Sequence, residues 1–176
     1  MNAAPHLRPV EEADYEWLRR LYHQVRAAEF AILPPEQREM LLDSQFMIQE
    51  RAYAMQYPGI AVLVIEWGGE PVGRLLLHRD GAAWRVVDLA VADAARGRGI
   101  GAAVLVQVQA MAAAAGPGAC VLLSVRPGNP ARRLYDRLGF REAPGGVEGV
   151  TVPMFWRSGP ASGAGFQTLC AGDTPP

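Results

Sequence analysis

Residues 88–105 read DLAVADAARGRGIGAAVL, and the fold turns on how the run Arg96-Gly97-Arg98-Gly99-Ile100-Gly101 is interpreted. A β-prone apolar segment, Leu89-Ala90-Val91, comes just before it. The alanine-rich AAVLVQVQAMAAAAG, helical in propensity and closed by Gly116-Pro117-Gly118, comes just after, so the glycines mark a strand-to-helix turn. At such a turn several backbone N–H groups emerge where the helix dipole is positive, which suits a phosphate. Glycines keep Cβ atoms away from the anion, and Arg96 and Arg98 bring charge to the rim. The same residues without a ligand make a glycine-rich turn with two solvated arginines.

Gly97, Gly99 and Ala102 also satisfy the G-x-G-x-x-G/A dinucleotide fingerprint. Three features oppose that reading. The turn lies mid-chain after what reads as an antiparallel meander, Ala92 to Arg96 separate the strand from the first glycine, and the next strand ends Ser124-Val125-Arg126 where a ribose-binding acid is required.

Upstream, IAVLVIEW from Ile60, PVGRLLLH and AWRVVDLAV are three β-rich runs, with turns at Gly68-Gly69 and Asp80-Gly81. Ahead of them the spacing predicts one helix over Glu12–Phe30, burying Leu18, Leu21, Tyr22, Val25 and Ala28. Pro34-Pro35 interrupts, and a second helix is predicted over Glu36–Tyr57. One of its stripes carries Met40, Leu41, Met47, Ile48, Ala52 and Met55, and another Leu42, Phe46, Gln49, Tyr53 and Gln56. Two such stripes suggest that one side packs on a core while the other lines something, or that the helix is sandwiched. A short extended opening is expected at Leu7–Val10. Downstream, ACVLLSV reads as a strand, and Asn129 caps a helix that has Pro130 in its first turn and stops at Gly139. Phe140–Ala143 and residues 149–156 read as last strands. The expected order is β, α, α, three meandering strands, α, β, α, β, β in one domain over 1–157, with residues 158–176, rich in Gly, Ser, Pro and Ala, expected to be disordered.

Composition narrows the function. The 176 residues are 50% hydrophobic and 20% charged, the balance of a globular domain that needs no disulfide or metal staple. Cys120 and Cys170 form no framework, and His6, His23 and His78 are scattered in sequence, so no metal is expected. With 17 basic and 18 acidic residues the net charge is −1, which offers nucleic acid no attraction. Every basic residue is arginine; the lack of lysine excludes a P-loop, a Schiff base and any lysine nucleophile. No signal peptide or membrane span is legible, and a cytoplasmic setting is expected.

The stretch 88–105 resembles the acyl-CoA-binding motif of the GCN5-related N-acetyltransferase (GNAT) superfamily, whose core is Arg/Gln-x-x-Gly-x-Gly/Ala, here Arg96, Gly99 and Gly101. NPARRLYDRLGF, residues 129–140, resembles the family's second motif, including its asparagine, its tyrosine and the closing Leu-Gly-Phe. One helix and one strand separate the two motifs, as in the family, and the likeness extends to nearly the whole chain except the tail. It implies an α/β (α+β) fold with a mixed, mostly antiparallel central sheet of six to seven strands and helices on both faces.

The resemblance also implies transfer of an acyl group, acetyl from acetyl-CoA, to an amine by direct attack on the thioester. The amides of Arg96, Gly97, Arg98, Gly99, Ile100, Gly101 and Ala102 would hold the pyrophosphate. The backbone of Leu89, Ala90 and Val91, on a strand that splays from its neighbour, would bond the pantetheine arm, with the Val91 N–H facing the thioester oxygen. Tyr135 matches the tyrosine that protonates the departing thiolate, and Asn129, Ala131 and Arg132 are further CoA contacts. Asp88 is the most central candidate base, although strand alternation turns it away from Leu89 and Val91. Glu29, Glu66, His78 or ordered water are the alternatives. Glu29, Phe46, Gln49 and Tyr53, with Arg26, are the candidates to line the acceptor cleft. The expected partners are acetyl-CoA and an amine, with no nucleic acid and no membrane, and exposed sheet edges allow a homodimer. Two alternatives stay open: a CoA-binding sensor or scaffold that performs no transfer, and a dinucleotide oxidoreductase.

Overall fold

The structure is a computed structural model and describes residues 4–144 and 150–159. Its strands are β1 (His6–Pro9), β2 (Ala61–Trp67), β3 (Glu70–Asp80), β4 (Ala83–Val91), β5 (Cys120–Val125), β6 (Arg141–Glu142) and β7 (Val152–Arg157). The α-helices are α1 (Tyr15–Arg26), α2 (Pro35–Gln56), α3 (Ile100–Ala115) and α4 (Ala131–Arg137). The seven strands form one sheet in the order β1-β2-β3-β4-β5-β7-β6. The pairings β1–β2, β2–β3, β5–β7 and β6–β7 are antiparallel, whereas β4–β5 is parallel. This is the mixed, mostly antiparallel sheet that the family resemblance implies, and the elements follow the order read from the sequence. Among the described residues no helix is long and apolar enough to cross a membrane.

The chain divides into two compact units, one comprising residues up to 77 together with 88–101, the other comprising 78–87 and the residues from 102 on. From residue 160 the expected disordered tail lies outside the described residues.

In the first unit α1 packs on α2 through Leu18, Tyr22, Leu42 and Phe46, with Trp17 and Phe30 against the same cluster. The Phe46 ring sits 5.6 Å from Tyr15 and 5.4 Å from Tyr22, centroid to centroid, in tilted aromatic pairs. Arg8 on β1 ties the start of this layer down, donating to Asp14 at 2.6 and 2.8 Å and to Glu66 on β2 at 2.6 Å. These guanidinium hydrogen bonds, with the Glu11 backbone N–H, lower the Asp14 pKa to about 2.

One expectation needs correction here, and one choice left open by the sequence is decided. The helix predicted over 12–30 is three segments: a 3-10 turn at Glu12–Asp14, α1, and a 3-10 segment at Ala27–Phe30. Apolar spacing does not register such a tightening of the backbone, because i,i+3 and i,i+4 contacts occur in both helix types. On α2 the stripe carrying most of the aliphatic side chains is the outer one. Met40, Met47, Ile48 and Met55 are exposed, while Leu42 and Phe46 are 2% and 1% exposed. Periodicity tells which residues share a face, and the aromatic partners Tyr15 and Tyr22 decide which face is inside.

β3 is covered on both sides over Gly73–Leu77, five consecutive buried residues. Its pairing with β2 shifts by one residue between Ile65 and Glu66, which match Gly73 and Pro71, leaving Val72 as a bulge. In the second unit α3 buries Val104, Leu105, Val108 and Ala112 at helical spacing, together with Val121, Leu123, Phe140 and Met154. The buried amide of Gln109 donates to the Leu138 carbonyl at 2.9 Å and so caps the end of α4.

Candidate active site

The glycine turn follows β4. Its parallel pairing with β5 matches Ala83–Arg85 to Cys120–Leu122, and β4 then runs on to Val91. The Ala92 N–H still pairs with the Val72 carbonyl at 2.8 Å, and a 3-10 turn at Asp93–Ala95 leads to Arg96. Gly97 and Gly99 have φ of +75° and +78°, the left-handed conformation that a side chain would oppose. α3 opens at Ile100, whose side chain is 2% exposed and anchors the helix start in the core. A Cβ on Gly97, Gly99 or Gly101 would meet nothing within 4 Å, so open space faces the turn at all three positions. An exposed, glycine-lined helix start is the donor arrangement that a diphosphate requires. Arg96 is engaged locally, with Nε on the Val91 carbonyl at 3.1 Å and Nη1 on Asp93 at 2.6 Å, which makes it a brace for the turn; Arg98 is exposed.

Beside the last residues of β4 the first unit has a small crevice lined by Leu18, Leu21, Tyr22, Val25, Arg26, Gln49, Arg74, Asp88, Leu89 and Ala90. It brings together Asp88, Gln49 and the Leu89–Ala90 segment, three parts of the site predicted from sequence. Arg74 is the most buried charge of that lining. Its side chain is only 4% exposed, and it donates from Nη1 to Glu50 on α2 and from Nη2 to Asp88 on β4, both at 2.8 Å. Arg26 donates to both carboxylate oxygens of Glu29, at 3.0 and 3.2 Å, and lies 5.6 Å from the centre of the Tyr22 ring. Burial raises the Tyr22 and Tyr53 pKa values, and the negative charge of Asp88 adds to both effects. Phe46, expected beside Gln49 in the acceptor cleft, is instead part of the packed α1–α2 core. Of the alternative bases, Glu66 is bound by Arg8 and Glu29 by Arg26.

Sequence reasoning missed Arg74 and its partner Glu50. The signal was present: an arginine inside GRLLLH is a charge in an otherwise buried strand, and such a charge demands partners. It also missed the demand on Gly73, where a Cβ would stand 2.5 Å from the Ala90 carbonyl oxygen.

In the second unit α4 starts one residue later than expected, with Pro130 and not Asn129 at the cap position, and Asn129 Oδ1, one residue further out, accepts from the Ala131 N–H at 2.9 Å. Tyr135 on α4 is half-buried, its ring 6.0 Å from Phe140. Arg132 is paired with Glu142 at 2.7 Å on an exposed surface.

The model of the acetyltransferase (GNAT) domain family matches residues 58–142, from the start of β2 through the glycine turn to β6. Residues 58–142 resemble a GNAT acetyltransferase domain. Comparison with curated proteins returns no match. Solved structures of the same fold include the PaiA N-acetyltransferase from Thermoplasma acidophilum in complex with coenzyme A, at 16% identity and TM-score 0.65, covering 88% of this chain and 99% of that one. A Corynebacterium glutamicum protein described as histone acetyltransferase HPA2 and related acetyltransferase has 23% identity and TM-score 0.64, covering 91% and 100%. The Escherichia coli ribosomal-protein-S18-alanine N-acetyltransferase has 18% identity and TM-score 0.60, covering 90% and 97%. At these identities the likeness is one of fold, and it gives this chain the architecture of acetyltransferases without selecting its acceptor.

Proposed function

We propose that this chain transfers an acetyl group from acetyl-CoA to a primary amine by direct attack on the thioester. The observation that carries this reading is the open turn at Gly97–Gly101, with its amides at the start of α3 and room for an anion where side chains would otherwise stand. In this reading the amides of residues 97–102 hold the diphosphate, and the backbone of Leu89 to Val91 bonds the pantetheine arm. The Val91 N–H is the donor to the thioester oxygen as negative charge develops there, a contact whose loss typically costs about 3–4 kcal/mol. The amine nitrogen forms a bond to the acetyl carbon as the C–S bond breaks. Asp88, or a water beside it, takes the proton from nitrogen, and the phenol of Tyr135 gives its proton to the CoA thiolate. The products are an amide and free CoA.

Acetyl-CoA protection against heating, followed by amine-dependent release of free thiol, tests the reading. Tyr135→Phe is expected to retain the protection and lose most of the thiol release. A chain that acetyl-CoA does not protect, at concentrations far above the usual affinity range, has neither this function nor a sensor role. One observation favours the sensor alternative, namely that Asp88 and Arg96 are both already bound within the protein. Protection without thiol release from any amine would select that alternative.

A further inference from the structure

The outer face of α2 leaves an apolar stripe in water. Met40, Met47, Ile48 and Met55 are 72%, 49%, 66% and 81% exposed. With Ser44 and Arg51, which are exposed as well, they fall within about 100° around the helix axis, opposite the buried Leu42 and Phe46. Single apolar residues on a surface are ordinary. Four on one helix face, spread over about four turns, form a contiguous patch of the kind that marks an interaction surface.

The order of residues along the stripe points to what covers it. From Met40 the stripe runs Ser44, Met47, Ile48, Arg51, Met55, and it is its own complement when reversed about the point between Met47 and Ile48. Met40 then meets Met55, Met47 meets Ile48 and Ser44 meets Arg51, all three pairs sharing one midpoint on the helix surface. Each apolar side chain opposes an apolar one, and the two polar residues oppose each other. A twofold axis performs this reversal, and a contact between identical copies about such an axis requires a patch with that property. The polar pair also matches chemically. Ser44 Oγ donates to the Met40 carbonyl at 3.0 Å, which leaves its lone pairs to accept, while the Arg51 guanidinium has donors only. Among the described residues Arg51 has no hydrogen-bond or ion-pair partner. In the reversed pair the two Arg51 positions stand about 10 Å apart along the helices, near one Debye length, so their repulsion is small.

We infer that two copies of this chain associate through α2, packed antiparallel about a twofold axis at Met47 and Ile48. The contact is about 22 Å long and one helix face wide, less than the roughly 800 Å² per partner of a standard interface, so the dimer is a dissociable one, in about the micromolar range. The inference holds whether or not the chain transfers acetyl groups.

Sedimentation of the full chain over about 1–300 μM tests it, with the expectation that the dimer fraction and Tm rise together with concentration. Met47→Glu and Ile48→Glu each place two carboxylates at the axis and should hold the chain monomeric throughout, while Tm in dilute solution stays within about 2 °C of wild type. Disulfide trapping, with the joined peptides identified by mass spectrometry, tests the geometry. Ile48→Cys should link to its own copy. Met40→Cys, about 22 Å from its copy in the antiparallel pair, should not link to itself but should link to Met55→Cys in an equimolar mixture. A chain that is monomeric at the highest concentration overturns the inference and leaves the stripe to residues 160–176 or to a different protein. A dimer that survives both glutamate substitutions, or Met40→Cys that links to itself, overturns it as well, the first by placing the contact on another surface and the second by making the helices parallel.

Discussion

Gly73→Ala is the substitution from which most can be learned. A Cβ built at that position stands 2.5 Å from the Ala90 carbonyl oxygen, 3.0 Å from Ile65 Cδ1 and 3.4 Å from Val91 Cα. The Ile65 side chain can rotate aside, but the Ala90 oxygen is backbone. Ordinary contact begins near 3.4 Å, so β3 and β4 must separate locally by roughly 0.9 Å. Overpacking of this kind costs about 1–3 kcal/mol. For a chain of this size that is a fall in Tm of roughly 2–12 °C. The displaced segment is Ala90–Val91, the same backbone that the proposed mechanism aims at the thioester. A shift approaching 1 Å at a reacting centre can cost on the order of 100-fold in rate. Calorimetric melting and acetyl-CoA turnover at a temperature well below Tm measure the two effects separately. A Gly73→Ala protein that is folded, displaced at β4 and undiminished in kcat would refute the role given to the Ala90–Val91 backbone.

Gly101→Asp should separate stability from binding. The new side chain meets open space, and an acid in the first turn of α3 complements the helix dipole by about 0.3–1 kcal/mol, so Tm should hold or rise. Acetyl-CoA affinity should nevertheless fall at least tenfold by titration calorimetry, because the carboxylate faces the diphosphate. Phe46→Ala, which empties the α1–α2 core, should cost about 3–5 kcal/mol in denaturant unfolding. Met40→Gln or Ile48→Gln on the outer face of the same helix should stay within about 0.5 kcal/mol. Asp14 is held at about 2 by the Arg8 and Glu11 N–H bonds, so its contribution is complete above the ordinary aspartate range and drains away as pH falls toward 2. The Tm difference between wild type and Asp14→Asn should therefore be constant near pH 6 and shrink between about pH 4 and pH 2, as followed by circular dichroism.

The sheet and its helices were legible because their signals are local. Strand runs end at Gly68-Gly69 and Asp80-Gly81, α2 starts at the second of two prolines, and Asn129-Pro130 leads into α4. The glycine turn was legible for the same reason, since positive φ at Gly97 and Gly99 is a backbone demand that the residue type itself announces. What escaped depends on contacts between residues far apart in sequence. Arg74 finds Glu50 and Asp88, 24 and 14 positions away, and Gly73 is required by a carbonyl on the neighbouring strand. The outer and inner faces of α2 were equally periodic, and the packing of Leu18, Tyr22 and their neighbours against Leu42 and Phe46 distinguishes them. Asp88 was singled out as a central acid, but its partnership with a buried guanidinium is tertiary information that no spacing in the chain encodes.

The most direct measurement is amide nuclear magnetic resonance of the isotope-labelled chain during titration with coenzyme A. The account predicts that the N–H resonances of residues 97–102 shift together and saturably, with Leu89 to Val91 following, and that a nicotinamide dinucleotide at equal concentration leaves them in place. Resonances of the glycine turn that stay fixed at millimolar coenzyme A, or that respond to the dinucleotide instead, would contradict it.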